Sequence, residues 1–144
     1  MNLEESPLLR VQRSFERQGL MQQLGARVHR VELGQCVLTM PYSGKVTQQQ
    51  GAFHGGAIGA LADIAGGYAA LTQAPAGMEV VSVEYKINFL AGCKGGMLRA
   101  TGRVIKAGKR LTVTSADVVH VAEDGTETVC ATLQQTVMPV PKSY

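Results

Sequence analysis

The 144-residue sequence predicts an α+β domain: an N-terminal helix, two strands, one long helix, then four strands in an antiparallel sheet. Three observations predict it. Apolar residues recur at helical spacing near the N-terminus. They alternate with polar residues at period two over 27–42 and over 80–90, and further strand segments separated by turns follow to 138. Between these blocks the stretch 48–70, QQQGAFHGGAIGALADIAGGYAA, has the span of a helix but carries six glycines and a single charge, Asp63.

Each element has its own signal. Ser6-Pro7 starts a helix, with Ser as cap and Pro at the first position, and Leu8, Val11 and Phe15 follow at helical spacing, so a helix is expected over about 6–19 with Gly19 ending it. Val31 and Leu33, then Cys36, Leu38 and Met40, alternate on either side of a turn at Gly34-Gln35. Pro41 to Gln50 is polar and aperiodic and is expected as a loop. The central helix ends at Pro75-Ala76-Gly77. Val81, Val83, Tyr85, Ile87 and Phe89 then alternate over 80–90. Further strands are expected at about 97–106, 110–121 and 127–138, with turns at Gly108 and Asp124-Gly125. Consecutive strands joined by short turns favour antiparallel pairing. Pro139–Tyr144 is expected to be a loose tail.

Length and composition point to one domain over 1–144, able to bury roughly 70% of its unfolded surface without staples. The net charge of +3 is mild. Its tightest basic group, Lys106, Lys109 and Arg110, sits in a turn and reads as a solvated hairpin tip, so no nucleic-acid partner is expected. A phosphate-bearing small ligand remains open. Cys36, Cys93 and Cys130 are odd in number and far apart, with no zinc spacing, so no metal is expected and a reducing, cytoplasmic setting fits. Glu4 and Glu5 open a chain without a secretory pattern. The apolar part of 53–74 approaches membrane-spanning length, but its glycines, its Asp and the lack of basic flanks argue against insertion.

On a helical wheel of 54–71, Ile58, Leu61, Ile64, Tyr68 and Leu71 fall on one side. Gly56, Gly59, Gly66, Gly67 and Ala70 fall on the other, with Asp63 among them. Each interior glycine costs roughly 1 kcal/mol relative to alanine, so a glycine stripe implies close approach by a ligand or a second chain. Tight helix–sheet packing with a structural Asp63 is the plain alternative. At the helix start, Phe53-His54-Gly55-Gly56 presents unpaired backbone N–H groups without Cβ atoms in the way, which suits an oxyanion or a polarised carbonyl. His54 and Asp63 lie ~13.5 Å apart along the axis. One carbonyl cannot touch both within a chain, so a shared site requires a homodimer pairing two such helices.

HGGAIGALAD resembles the HGG-x6-D signature of hotdog-fold thioesterases of the phenylacetate-pathway, PaaI-like type. The resemblance continues in VVSVEYKINFLA (80–91) and GRVIKAGKRLTVTSADVV (102–119) and spans roughly 26–138. It implies a long helix wrapped by a curved antiparallel sheet, paired into homodimers and often homotetramers. It implies acyl-CoA as substrate, with CoA entering only as part of that substrate and no separate cofactor. By motif position, Gly55 would offer its N–H to the thioester carbonyl, and Asp63 of the partner subunit would act as general base or nucleophile. Ser82 would assist from the following strand, and His54 would shape the turn more than react. The family usually places Asn six residues before the His; this chain has Gln48 there, so either Gln48 serves with altered reach or Gln49 or Gln50 does. Gly56 joins the substrate contacts, and Lys94, Lys106, Lys109 and Arg110 are the cations available to CoA phosphates. Two other classes compete with thioester hydrolysis: an acyl-CoA-binding module without turnover, and a hydratase on the same fold. The hydratase motif, a catalytic His paired with a carboxylate, is absent.

Overall fold

The computed structural model describes residues 5–144; residues 1–4, including Glu4 of the acidic pair, lie outside the described residues. Helix α1 (Pro7–Phe15) begins as its cap dictates, with the Ser6 hydroxyl accepting from the Leu9 N–H at 3.2 Å. It stops at Phe15 rather than at Gly19. Gln18 turns extended and donates its amide to the Tyr68 hydroxyl at 2.8 Å, and Gly19 opens a second short helix, α2 (Gly19–Leu24), which the αL residue Gly25 closes. One helical period therefore covers two pieces, because a tertiary hydrogen bond at Gln18 overrides continuation.

Strands β1 (Arg27–Glu32) and β2 (Gln35–Pro41) form a hairpin turned by Gly34 at φ 79°. A 3-10 turn at Gly44–Val46 leads into the loop before helix α3 (Gly55–Leu71). Strands β3 (Met78–Phe89), β4 (Met97–Ala107), β5 (Thr112–Val121) and β6 (Glu127–Pro141) complete one sheet in the order β1-β2-β4-β5-β6-β3, antiparallel throughout. The chain leaves β2 near one edge, crosses the sheet as α3 and re-enters at the opposite edge as β3. The sheet curls around α3, which packs against all five strands from β2 to β6. Leu38, Met40, Leu61, Leu71, Leu98 and Leu133 are fully or almost fully buried between them. Such side chains contribute about 1.5–3 kcal/mol each.

This wrapping corrects the two-sided reading of α3. Both flanks are covered: Ile58, Leu61, Tyr68 and Leu71 are buried, and so are Gly59, Gly66 and Gly67. Only a narrow stripe, Gly55, Gly56, Ala60, Asp63 and Ile64, keeps solvent access. Gly66 serves packing, whereas a Cβ at Gly59 or Gly67 would meet only ordinary contacts. A Cβ on Gly66 would stand 2.7 Å from Thr114 Oγ1 and overlap Gln135 Oε1, and a Cβ on Gly102 of β4 would run into the Ala65 carbonyl.

The alternation over 80–90 is also split. Val83 is an extra residue, a bulge in the pairing of β3 with β6 between Ser82↔Val137 and Glu84↔Thr136. Val80 and Ser82 face α3 before the bulge; Tyr85, Ile87 and Phe89 face it afterwards. Val81 and Val83 point away and are exposed. The tail is tied down rather than loose. Residues 139–141 pair with Met78–Val80, the Lys142 N–H reaches the Gly77 carbonyl at 2.9 Å, and Tyr144 bonds Glu79.

Candidate active site

The start of α3 is built around His54. Its ring Nδ1 accepts from the Gly56 N–H at 2.7 Å, so the imidazole caps the helix and carries its ring hydrogen on Nε2. A Cβ on Gly56 would press on that ring at 2.9 Å, which explains why glycine follows one residue beyond the turn. The Ala57 and Ile58 N–H groups both reach the His54 carbonyl at 3.0 Å, and the His54 N–H reaches Val46 O at 2.7 Å. Among the described residues the Gly55 N–H alone of this group has no acceptor. It opens onto a cleft of about 340 Å³ lined by Gln48, Phe53, Gly55, Ile58, Phe89 and Gly92 among others. The Phe89 ring covers Gly55, 3.2 Å from where a Cβ would stand.

Gln48 is the member of its triplet that reaches this cleft. It is half-buried, whereas Gln49 and Gln50 are exposed. Its amide oxygen accepts from the Gln50 N–H, which holds the tight turn before Gly51.

Asp63 lies eight residues further along α3, ~12 Å down the axis. Its Oδ1 accepts from the Ser82 hydroxyl at 2.6 Å and from the Gln135 amide. Gln135 Nε2 also lies 3.0 Å from Ser82 Oγ and 3.2 Å from the Asp63 carbonyl. Its Oε1 accepts from the Thr114 hydroxyl at 2.8 Å. The amide orientation follows from charge: a carboxylate demands the NH2 end, which leaves the oxygen for the hydroxyl. Both donors converge on Oδ1, and among the described residues Oδ2 has no hydrogen bond. A recess of about 70 Å³ adjoins it, lined by Ser14, Gln18, Ile64, Tyr68, Glu79 and Val80.

Gln135 was not legible as a site residue. It is 1% exposed and shares the inward phase of Leu133 and Val137, so its signal was a polar residue at a core position of β6. Thr114, its cross-strand neighbour on β5, carries the same signal.

The remaining candidates disperse. His54 and Gly56 border a third recess of about 280 Å³ with Leu20, Leu24 and Ala60. The Lys94 ammonium rests near Gly51, on the loop flanking the Gly55 cleft. Lys109 and Arg110 line a separate cleft of about 470 Å³ beyond the C-terminal end of α3, and Lys106 is exposed. Burial pushes the Cys36 and Cys130 thiols up to about 12 and raises Cys93, so none offers a thiolate near neutral pH. Among the described residues, no helix is long and apolar enough to cross a membrane.

Known proteins resemble this chain over most of its length. The thioesterase superfamily profile matches residues 50–127. A protein of Saccharolobus solfataricus that carries an esterase name is 34% identical over 110 residues, 76% of this chain and 78% of that one. A thioesterase family protein from Silicibacter pomeroyi superposes with a TM-score of 0.91 at 36% identity, covering 95% of this chain and all of that one. The E. coli PaaI protein of the phenylacetic acid degradation operon shares the fold, with a TM-score of 0.82 at 23% identity over 95% of each chain. With its profile match starting just before His54 and its helix wrapped by a six-stranded sheet, this chain belongs to the thioesterase superfamily and has the hotdog fold.

Proposed function

We propose that the protein hydrolyses acyl-CoA thioesters to a carboxylic acid and CoA, at sites shared between two chains. The Gly55 N–H of one chain polarises the thioester carbonyl. Asp63 of the partner subunit, as general base, takes a proton from water while the water oxygen adds to the carbonyl carbon. The C–S bond then breaks, and the CoA thiolate leaves and takes up a proton. With Asp63 as nucleophile the products are the same, through an acyl–aspartate that water cleaves. A thioester carbonyl is electrophilic enough for one polarising donor and one carboxylate to suffice.

The observation that carries this reading is the single unfilled N–H at Gly55, left open while its neighbours are satisfied. Separation along α3 supports the two-chain form: Gly55 and Asp63 line different recesses of one chain. Strand β3, unpaired along its outer edge, supports it too, since a long edge with exposed Val81, Val83, Tyr85 and Phe89 favours association. Assembly of dimers into a homotetramer belongs to the same reading. Ser82 holds Asp63, Gln48 contacts substrate or water at the Gly55 cleft, and Lys94 is the cation best placed for a CoA phosphate. Three free, buried thiols suit a reducing compartment such as the cytoplasm.

The test is thiol release from acetyl-, palmitoyl- and benzoyl-CoA by wild type and Asp63→Asn side by side. Turnover by wild type that falls at least about 1,000-fold in the variant is expected. Wild-type rates in a folded Asp63→Asn protein would remove Asp63 from the chemistry. Tight binding of acyl-CoA by wild type with no thiol release would replace the enzyme by a binding module.

A further inference from the structure

We propose that Gln135 is a positioning residue for Asp63, held in turn by Thr114, and that this chain dedicates Asp63 Oδ2 as the reacting oxygen. The inference rests on the reading of Asp63 as the catalytic carboxylate. A carboxylate on an open helix stripe has two equivalent oxygens and free rotation about its side-chain bonds. Here both donors, Ser82 and Gln135, bind the same oxygen. Gln135 also spans to the backbone carbonyl of Asp63 and to Ser82 Oγ, so one amide fixes side chain, main chain and the assisting serine together.

The amide is itself fixed from behind. Thr114 donates to its oxygen, which sets the NH2 end toward Asp63 and prevents a flip. The pair occupies core positions on β5 and β6 that apolar side chains would fill more cheaply, since buried polar groups must be fully bonded to be tolerated. Gly66 gives up its side chain to admit them. Three residues of the fold are thus committed to the orientation of one carboxylate.

The test uses Gln135→Met, Thr114→Val and the double variant, which replace the polar groups by apolar ones of similar shape. Thr114→Ser, which keeps the hydroxyl, serves as the conservative control. With an acyl-CoA that wild type turns over, kcat should fall about 10- to 100-fold for Gln135→Met, with KM within about two-fold. The double variant should be no slower than Gln135→Met, because both act through one chain of bonds. Its melting temperature should match or exceed that of wild type, since removing both partners leaves no buried group unpaired. Thr114→Ser should restore kcat.

A folded double variant with wild-type kcat would overturn the proposal. So would a fall in kcat matched by a collapse of Tm or an equal rise in KM. Crystal structures of wild type and Gln135→Met separate this idea from the reaction itself. If no acyl-CoA is turned over, the proposed function fails, while an Asp63 carboxylate that keeps the same orientation in Gln135→Met overturns the positioning role on its own.

Discussion

Gly55 is the residue at which backbone chemistry can be removed without removing the helix. Proline lacks an N–H but suits the first helical position, and His54 before it sits at φ −67° and ψ 134°, a conformation that a following proline favours. Gly55→Pro should therefore keep the helical signal in circular dichroism while kcat falls about 100- to 1,000-fold, the usual loss for one oxyanion donor. The Phe89 ring must yield by a few tenths of an ångström, so a melting curve belongs with the kinetics. The glycines of this helix were conspicuous in the sequence, and the need for close approach was legible. Their separate reasons were not. Gly56 answers to an imidazole two residues away, but Gly66 answers to Gln135 and Thr114, which only the folded sheet brings near. Gln135 is not legible in the sequence, because local spacing marks helices and turns, whereas a buried amide is explained only by its partner across the fold.

At the scale of elements, α1 is locked to α3 by the Tyr68 hydroxyl, which bonds Ser14 at 3.0 Å and Gln18 at 2.8 Å. Arg10 adds bonds to the Ala74 and Pro75 carbonyls, both at 2.6 Å, just past the end of α3. Burial pushes the Tyr68 hydroxyl up to about 12 from 10.0, as it pushes Cys36 and Cys130 to about 12 from 9.0. Above pH 9 the unfolded chain releases protons that the folded protein keeps, so ν_U falls below ν_N and stability declines with rising pH. Thermal melts should show Tm falling steadily as pH rises from about 9 toward 12. In Tyr68→Phe the slope above pH 10 should be shallower, although the starting Tm is lower for want of two hydrogen bonds. The elements themselves were readable from periodicity, the two helices and all six strands among them. The bulge at Val83 was not, because an alternating apolar run looks the same whether it stays on one face or changes face midway. Nor was α2, whose start depends on the bond from Gln18 to Tyr68.

For the whole molecule, the separation of half-sites makes a quantitative prediction about mixing. On the proposed mechanism, Gly55→Pro and Asp63→Asn each disable a different half of the site. If one site draws Gly55 from one chain and Asp63 from the other, a heterodimer of the two variants holds one intact site and one doubly disabled site. Random reassortment of equal amounts should recover about a quarter of wild-type activity, half the dimers carrying one of two sites. Activity that stays at the level of the separate variants, in a sample shown to contain heterodimers, would place both groups in one chain's own site. Helix geometry alone carries this expectation at the sequence level, since ~13.5 Å of axial rise separates His54 from Asp63 in an α-helix.

The capping ring of His54 has one more consequence. Helix starts that cradle phosphate or sulfate do so with several N–H groups pointing at the ion together. Here the imidazole and the His54 carbonyl take up Gly56, Ala57 and Ile58, leaving a single donor at Gly55. Such an end offers one hydrogen bond, enough for the carbonyl oxygen of the proposed reaction and too few to cradle a phosphate. Inorganic phosphate should therefore bind there only weakly.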